Sequence, residues 1–343
     1  MKKKNRYNVA VVGVGVVGIE MLRVLSQRNF PVGELKVLAR SAREIEVDGR
    51  KYAVQAVSPE GFEGMDIALF AGTEGEKGAA VTYAKEAVKR GCIVIDNGAD
   101  FRMDPDVPLV VPEVNGKDVK KHKGIIANPN CSTIQMVVAL EPIRKKAGLK
   151  RIIVTTLQAS SGAGKSAVEQ LKAENAAIAA CGFSNVHVDT ERSMPQQLAY
   201  NVFPQIGSFT DCDYTSEEWK LVKETHKIMH DGKIKVSATT VRVPVRTGHS
   251  ESVYIETAKT ITPAAVKKLL SKAPGVVVVD DPVKGLYPMP KDAEGRDETF
   301  VGRIRRDCFV KNGLWLWVVA DNLRKGAATN AVQIAECVIS CSK

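Results

Sequence analysis

A strand pattern running straight into Gly13-Val14-Gly15-Val16-Val17-Gly18 constrains this chain more than any other stretch. Residues 7–12 are β-rich, and apolar residues over 19–25 continue at helical spacing, so the order is strand, glycine turn, helix. In that order the first glycine makes a tight turn, the second lets the backbone approach a pyrophosphate, and the third lets the helix pack closely on the strand. Gly13, Gly15, Val16, Val17 and Gly18 are therefore expected to contact a dinucleotide. A second strand over 34–38 ends in Ala39-Arg40-Ser41-Ala42-Arg43. A site for NAD places Asp or Glu at this distance from the glycines to hold the ribose hydroxyls. Arg40, Ser41 and Arg43 instead offer partners to a 2′-phosphate, which points to NADP.

The alternation continues, with a buried strand expected over 67–71, a helix over 76–90 and another buried strand over 92–96. Such a series makes a parallel sheet and an α/β fold. Asn97-Gly98-Ala99-Asp100-Phe101-Arg102 follows the C-terminal end of that last strand, where ligands collect in open α/β sheets. Arg102 is thus a candidate anion clamp; as a bare sequence feature it is equally a surface ion-pair residue.

Asn128-Pro129-Asn130-Cys131-Ser132-Thr133 sits where a short apolar segment over 124–127 turns into a helix, with Ile134, Val137, Val138 and Ile143 at helical spacing and Lys145, Lys146 and Gly148 as stop signals. Capping residues surround one cysteine. A thiol at a helix start lies over unpaired N–H groups and the positive end of the helix dipole, which favours the thiolate and makes Cys131 a candidate nucleophile.

Past this helix the pattern changes. A strand over 151–158 leads into Ala159-Ser160-Ser161-Gly162-Ala163-Gly164-Lys165-Ser166, which opens an Ala-rich helix toward Ala180. The stretch is not a phosphate-binding P-loop, because Ala159 stands where that motif needs glycine. The helix expected over 217–229 carries Glu217, Lys220, Glu224 and Lys227 at three- and four-residue offsets, the pattern of a solvated, ion-paired face. Strands over 234–243 and 252–257 flank Pro244-Val245-Arg246-Thr247-Gly248-His249-Ser250, which places His249 in a polar turn rather than in a core. With Arg242 nearby, it suits a general base paired with a carboxylate anchor. Strands over 276–279, 300–306 and 314–319 complete a mixed or antiparallel sheet, interrupted by a polar, turn-rich excursion over 288–296. The apolar helix over 327–339 could return to cover the first domain.

The 343 residues suit two domains. The net charge of +10 is spread over every segment and aromatics make up only 6%, which argues for small anionic ligands rather than nucleic acid. No stretch approaches the ~20 apolar residues of a membrane span. The basic Met1-Lys2-Lys3-Lys4 leads into a strand and not a signal-peptide core. Seven cysteines, odd in number and without C-x-x-C spacing, fit a reducing cytoplasm with neither a disulfide framework nor a metal site.

Taken together, the chain closely resembles the aspartate-β-semialdehyde dehydrogenase family over essentially its full length. The resemblance rests on Asn128-Pro129-Asn130-Cys131-Ser132-Thr133-Ile134-Gln135, on Gln158 followed by Ser161-Gly162-Ala163-Gly164, on Arg242 with Gly248-His249-Ser250, and on Asp321-Asn322-Leu323-Arg324-Lys325-Gly326-Ala327-Ala328. It implies a Rossmann-like dinucleotide-binding domain, residues 1–131 with 322–343, and an α+β catalytic and dimerisation domain like that of glyceraldehyde-3-phosphate dehydrogenase, residues 132–321. The implied reaction is NADP-dependent, converting L-4-aspartyl phosphate to L-aspartate 4-semialdehyde and phosphate on the route to diaminopimelate, lysine, threonine, methionine and isoleucine. A homodimer or a dimer of dimers is implied too. Carried over by motif, Cys131 would form the acyl-enzyme within the Asn130-Cys131 pair, His249 would be the acid/base catalyst and Gln158 would orient the intermediate. Arg242 would hold the substrate carboxylate, Glu217 its amino group, and Lys220 and Arg102 the phosphate. Cofactor contacts would come from the Gly13–Gly18 turn, Arg40, Ser41, Ser161, Gly162 and Asn322.

The chain departs from the family pattern in three places. The turn is one residue shorter than the family's and lacks its threonine, Glu74 and Glu76 stand where relatives carry small neutral residues, and Thr240 replaces a frequent cysteine. A related N-acetyl-γ-glutamyl-phosphate reductase would show a Pro-Gly-Cys-Tyr-Pro-Thr type motif, and glyceraldehyde-3-phosphate dehydrogenase a Ser-Cys-Thr-Thr-Asn run; both are absent. A non-catalytic dinucleotide-binding protein would have no use for Cys131, Gln158, Arg242 and His249 together.

Overall fold

The computed structural model describes residues 3–72, 78–182 and 193–341. The chain forms two compact units: Met1–Ile134 with Lys227–His230 and Arg324–Lys343, and Gln135–His226 with Asp231–Leu323.

In the first unit the chain runs through β1 (Tyr7–Val12), α1 (Val16–Gln27), β2 (Val32–Ala39), β3 (Arg43–Val47), β4 (Arg50–Ala56), β5 (Ile67–Phe70), α2 (Ala79–Lys89), β6 (Ile93–Asp96), α3 (Pro112–Asn115) and β7 (Ile125–Ala127), and into α4 (Cys131–Ala147). Among the described residues these strands form a sheet in the order β3-β4-β2-β1-β5-β6-β7. All neighbours pair in parallel except β3 with β4. The sequence pattern predicts no hairpin here and places Arg43 in a loop, whereas Arg43 starts β3. The hairpin closes through Asp48 and Gly49, both at positive φ, the residue pair that two-residue hairpins favour. Of the acidic loop, Glu74 and Glu76 lie outside the described residues.

Alternation along β1 splits the core between the two sheet faces. Val9 and Val11 join Met21, Leu22 and Leu25 of α1, while Ala10 and Val12 join Phe62, Phe70 and Ala84. The first of these clusters is completed by Ala331, Val332, Ile334, Ala335 and Val338, near the chain's end. They belong to the last helix, Thr329–Ser340, which follows a π-helical turn over Arg324–Ala328.

The second unit holds the rest of α4, then β8 (Leu149–Gln158), α5 (Lys165–Cys181), α6 (Ser216–Met229), β9 (Lys235–Arg242), β10 (His249–Thr257), α7 (Pro263–Leu270), β11 (Val276–Val278), α8 (Pro290–Ala293), β12 (Thr299–Arg306) and β13 (Gly313–Ala320); the last helix, Thr329–Ser340, is α9. Its sheet runs β11-β12-β13-β10-β8-β9 and is mixed, with β8–β9 and β11–β12 parallel and the other pairs antiparallel. The α/β unit and the mixed-sheet unit expected from the sequence are both present. One end of this sheet gathers polar residues. Gln158 closes β8 opposite Arg242, which closes β9, and His249 opens the antiparallel β10 opposite Ala320, which closes β13 and delivers Asp321 and Asn322.

Candidate active site

In the first unit the glycine turn is built for close approach. Gly13 holds φ +99°, and its N–H donates to the Leu38 carbonyl at 2.8 Å. A Cβ on Gly18 would lie 1.9 Å from the Gly13 carbonyl oxygen, so only glycine closes helix onto turn there, whereas a Cβ on Gly15 would meet nothing within 4 Å. Helix α1 starts with neither a side-chain cap nor an acidic residue in its first turn, which leaves its N–H groups and dipole available to an anion. Arg40 and Ser41 are exposed just past β2, and the Arg43 guanidinium donates to Ser41 Oγ at 3.2 Å. This donor set and this open turn fit the phosphates of a dinucleotide, the 2′-phosphate included.

Cys131 is the first residue of α4 and half-buried. Asn130 caps the helix, its Oδ1 accepting from the Ser132 N–H at 3.0 Å and the Thr133 N–H at 3.3 Å, while its carbonyl takes the Ile134 N–H at 2.9 Å. Negative charge on the Cys131 sulfur is stabilised at this position. Arg102 is not a surface ion-pair residue: it is buried, with Nε donating to the Asn128 carbonyl at 3.0 Å and a terminal nitrogen to the Asn97 carbonyl at 2.7 Å.

The second unit brings the remaining candidates into one connected group. Gln158 Nε2 donates to Glu217 Oε1 at 3.2 Å, and Lys220 lies 3.3 Å from the other Glu217 oxygen. A terminal nitrogen of Arg242 donates to the Ala159 carbonyl at 2.6 Å. The Ala159 N–H in turn donates to His249 Nδ1 at 3.0 Å. A backbone amide can only donate, so Nδ1 accepts and the neutral ring carries its hydrogen on Nε2. Among the described residues that Nε2 has no partner. A Cβ on Gly162 would come within 3.1 Å of it, so glycine keeps the space in front of the ring open. Burial, and then the charge of Arg242, pull His249 down to about 3, which leaves it neutral at pH 7. Asn322 Oδ1 accepts from the Gly248 N–H at 2.9 Å and its Nδ2 donates to Ser161 Oγ at 2.9 Å, which ties two of the expected cofactor contacts together.

Two expectations need correction. His249 is a fully buried residue at a strand start and not part of a solvated turn; the Ala159 amide gives its ring the partner that makes burial tolerable. The α6 face is not solvated either. Glu217 and Glu224 are buried, and Lys227 Nζ donates to the carbonyls of Arg102, Asp104 and Val107 at 2.7, 2.7 and 2.8 Å. Arg246, by contrast, is exposed and paired with Glu294. Thr240 is buried, with its N–H donating to Glu218 Oε1 at 3.0 Å. Sequence reasoning passed over the Ala159 amide and Glu251, a fully buried carboxyl that burial pushes well above its usual range. Glu251 falls on the same strand face as His249, a signal that alternation along 249–255 already carried.

A chain with a glycine-turn α/β unit and a separate mixed-sheet unit of this topology falls in the class of nicotinamide-dependent dehydrogenases. Residues 8–122 match the model of the semialdehyde dehydrogenase NAD binding domain and residues 140–325 that of the semialdehyde dehydrogenase dimerisation domain. The chain belongs to the aspartate-semialdehyde dehydrogenase family. It is 55% identical to the aspartate-semialdehyde dehydrogenase of Aquifex aeolicus over 97% of this chain and 98% of that one. The crystal structure of aspartate semialdehyde dehydrogenase II complexed with ASA from Vibrio cholerae superposes with a TM-score of 0.92 at 43% identity, covering 98% of this chain and 99% of that one. The crystal structure of aspartate semialdehyde dehydrogenase with NADP from Candida albicans does so with a TM-score of 0.73 at 26% identity, covering 97% and 98%. Among the described residues no helix is long and apolar enough to cross a membrane, and no group of His, Cys, Asp and Glu is gathered as for a metal ion.

Proposed function

We propose that this chain reduces L-4-aspartyl phosphate to L-aspartate 4-semialdehyde and phosphate with NADPH, in the cytoplasm, as a homodimer or a dimer of dimers. In this reading residues 1–131 with 322–343 hold the cofactor, and residues 132–321 carry catalysis and dimerisation. The observation that supports it best is the connected group in the second unit. A buried guanidinium, a buried carboxylate, an amide and a neutral imidazole are joined through the Gln158–Ala159 backbone. An amino acid with a reactive carbonyl asks for this set: Arg242 for the carboxylate, Glu217 for the ammonium, and Gln158 and His249 for the carbonyl end.

The Cys131 sulfur attacks the acyl carbonyl, so that a C–S bond forms as the C–O bond to phosphate breaks. Arg102 and Lys220 take up the charge of the departing phosphate. The nicotinamide cofactor, when bound, supplies the hydride that reduces the thioester. His249 donates a hydrogen bond from Nε2 to the oxygen on which negative charge develops, keeping its proton; as that oxygen re-forms the carbonyl, C–S cleavage returns the sulfur with its electron pair, steadied by the dipole of the Asn130-capped helix α4. The turn around Gly13, Gly15, Val16, Val17 and Gly18 holds the pyrophosphate; Arg40 and Ser41 hold the 2′-phosphate, and Ser161, Gly162 and Asn322 bound the nicotinamide end.

The test is NADP reduction by aspartate semialdehyde, which must require phosphate and must fail with N-acetylglutamate semialdehyde and with glyceraldehyde 3-phosphate. Cys131→Ser is expected to lower kcat by more than about a thousandfold while NADP binding is retained. Full activity in that variant would sink the thioester scheme.

A further inference from the structure

A row of side-chain amides crosses the first unit, and its polarity is set at both ends. Lys325 is fully buried; its ammonium donates to Glu113 Oε2 at 2.7 Å, Gln333 Oε1 at 2.7 Å and Asn330 Oδ1 at 3.0 Å. An ammonium can only donate, so Asn330 must turn its oxygen toward Lys325 and its NH₂ away. That NH₂ donates to Asn128 Oδ1 at 2.7 Å and to the Val110 carbonyl at 3.0 Å. Asn128 is thereby oriented in the same sense, and its NH₂ donates to Asn97 Oδ1 at 2.7 Å. Asn97 Nδ2 ends the row on the Phe70 carbonyl at 2.8 Å, at the close of β5. A carbonyl can only accept. With a pure donor at one end and a pure acceptor at the other, each of the three amides has a single satisfied orientation.

What the row carries is Arg102. Its guanidinium donates to the backbone carbonyls of Asn97 and Asn128, the residues whose side chains are joined at the centre of the row. Asn128 also lies three residues before Cys131, in the turn that leads into α4.

We infer that Lys325 and Asn330, two residues of the chain's last segment, are positioning residues that act through Asn128 and Asn97 to fix Arg102 and the approach to Cys131. Neither is assigned contact with substrate. The inference rests on the reading of Arg102 as a phosphate anchor, so Arg102→Ala is measured beside the other variants.

Lys325→Met removes the donor that sets the polarity while preserving bulk. Asn330→Asp is isosteric and replaces the NH₂ that faces Asn128 by an acceptor, and it serves should the first variant fail to fold. Each is expected to raise the KM for phosphate, in the direction that oxidises the semialdehyde, by roughly tenfold or more. Each is also expected to slow iodoacetamide alkylation of Cys131 by a similar factor, with the KM for NADP unchanged. A lowered Tm with unchanged phosphate KM and alkylation rate would mean that the row only holds the fold together, and would overturn the inference. If Arg102→Ala raises the phosphate KM and the row variants do not, the row is refuted while the function stands. If Arg102→Ala has no effect, the reading of Arg102 falls, and with it the phosphate arm of the inference.

Discussion

His249 is the residue whose surroundings most limit its chemistry. Its Nδ1 accepts from a backbone amide and the ring lies fully buried beside Arg242, so a proton added to Nδ1 would face a donor and a cation at once. At pH 7 the ring is therefore neutral with its hydrogen on Nε2, and in the proposed reaction it acts from that state. The same depression has a thermodynamic sign. Between the ordinary value of 6.5 and the folded value of about 3, the unfolded chain binds a proton that the folded chain does not, so stability falls as the pH drops through this window. The slope due to this one ring approaches about 1.4 kcal/mol per pH unit. In urea titrations at pH 7 and pH 5, the difference in unfolding free energy is expected to shrink by about 2 kcal/mol in His249→Gln. An undiminished difference would show that the ring is not the group responsible. Tautomer and burial were illegible in the sequence because both depend on Ala159, which lies ninety residues earlier and contributes only main-chain atoms.

At the scale of elements, β1 was legible to the residue, and α1, expected over 19–25 and found over Val16–Gln27, in type and place, because apolar alternation, glycine spacing and helical periodicity each act within a few residues. The β3–β4 hairpin was missed although Ile45, Val47, Tyr52 and Val54 alternate around Asp48-Gly49; the charged residues interleaved on its outer face made it resemble a loop. This edge carries the residues proposed to hold the 2′-phosphate of the cofactor. Arg40 and Ser41 join β2 to that hairpin, and the Arg43 guanidinium that starts β3 reaches back to Ser41. The short connection holds two guanidiniums and a hydroxyl close together in sequence, where a 2′-phosphate can use all three. Arg40→Ala is accordingly expected to raise the KM for NADP at least tenfold and to leave that for NAD within about twofold. Equal changes for both cofactors would contradict a 2′-phosphate role. The amide row left no signal in the sequence. Its members, Asn97, Asn128 and Asn330, come from three distant segments and meet only after folding.

For the whole molecule, the governing fact is that the first unit is discontinuous. Helix α9 supplies Ala331, Val332, Ile334, Ala335 and Val338 to the same cluster as β1 and α1, so the core of that unit lacks a wall without it. Ending the chain after Ala328 should expose this cluster, and each of the larger side chains stripped of cover would forfeit about 1.5–3 kcal/mol. The expected result is insoluble protein, or a form that binds a hydrophobic dye and shows no cooperative melt of the first unit. A soluble, cooperatively melting product would show that α9 is dispensable. The discontinuity also sets a timetable for synthesis. On the ribosome, the nascent first unit must wait for the stretch from Gln135 to Leu323 to be made before its last wall emerges. At cellular elongation rates that interval is about ten to forty seconds. For that time the apolar face of β1 and α1 that α9 covers stands open on the nascent chain.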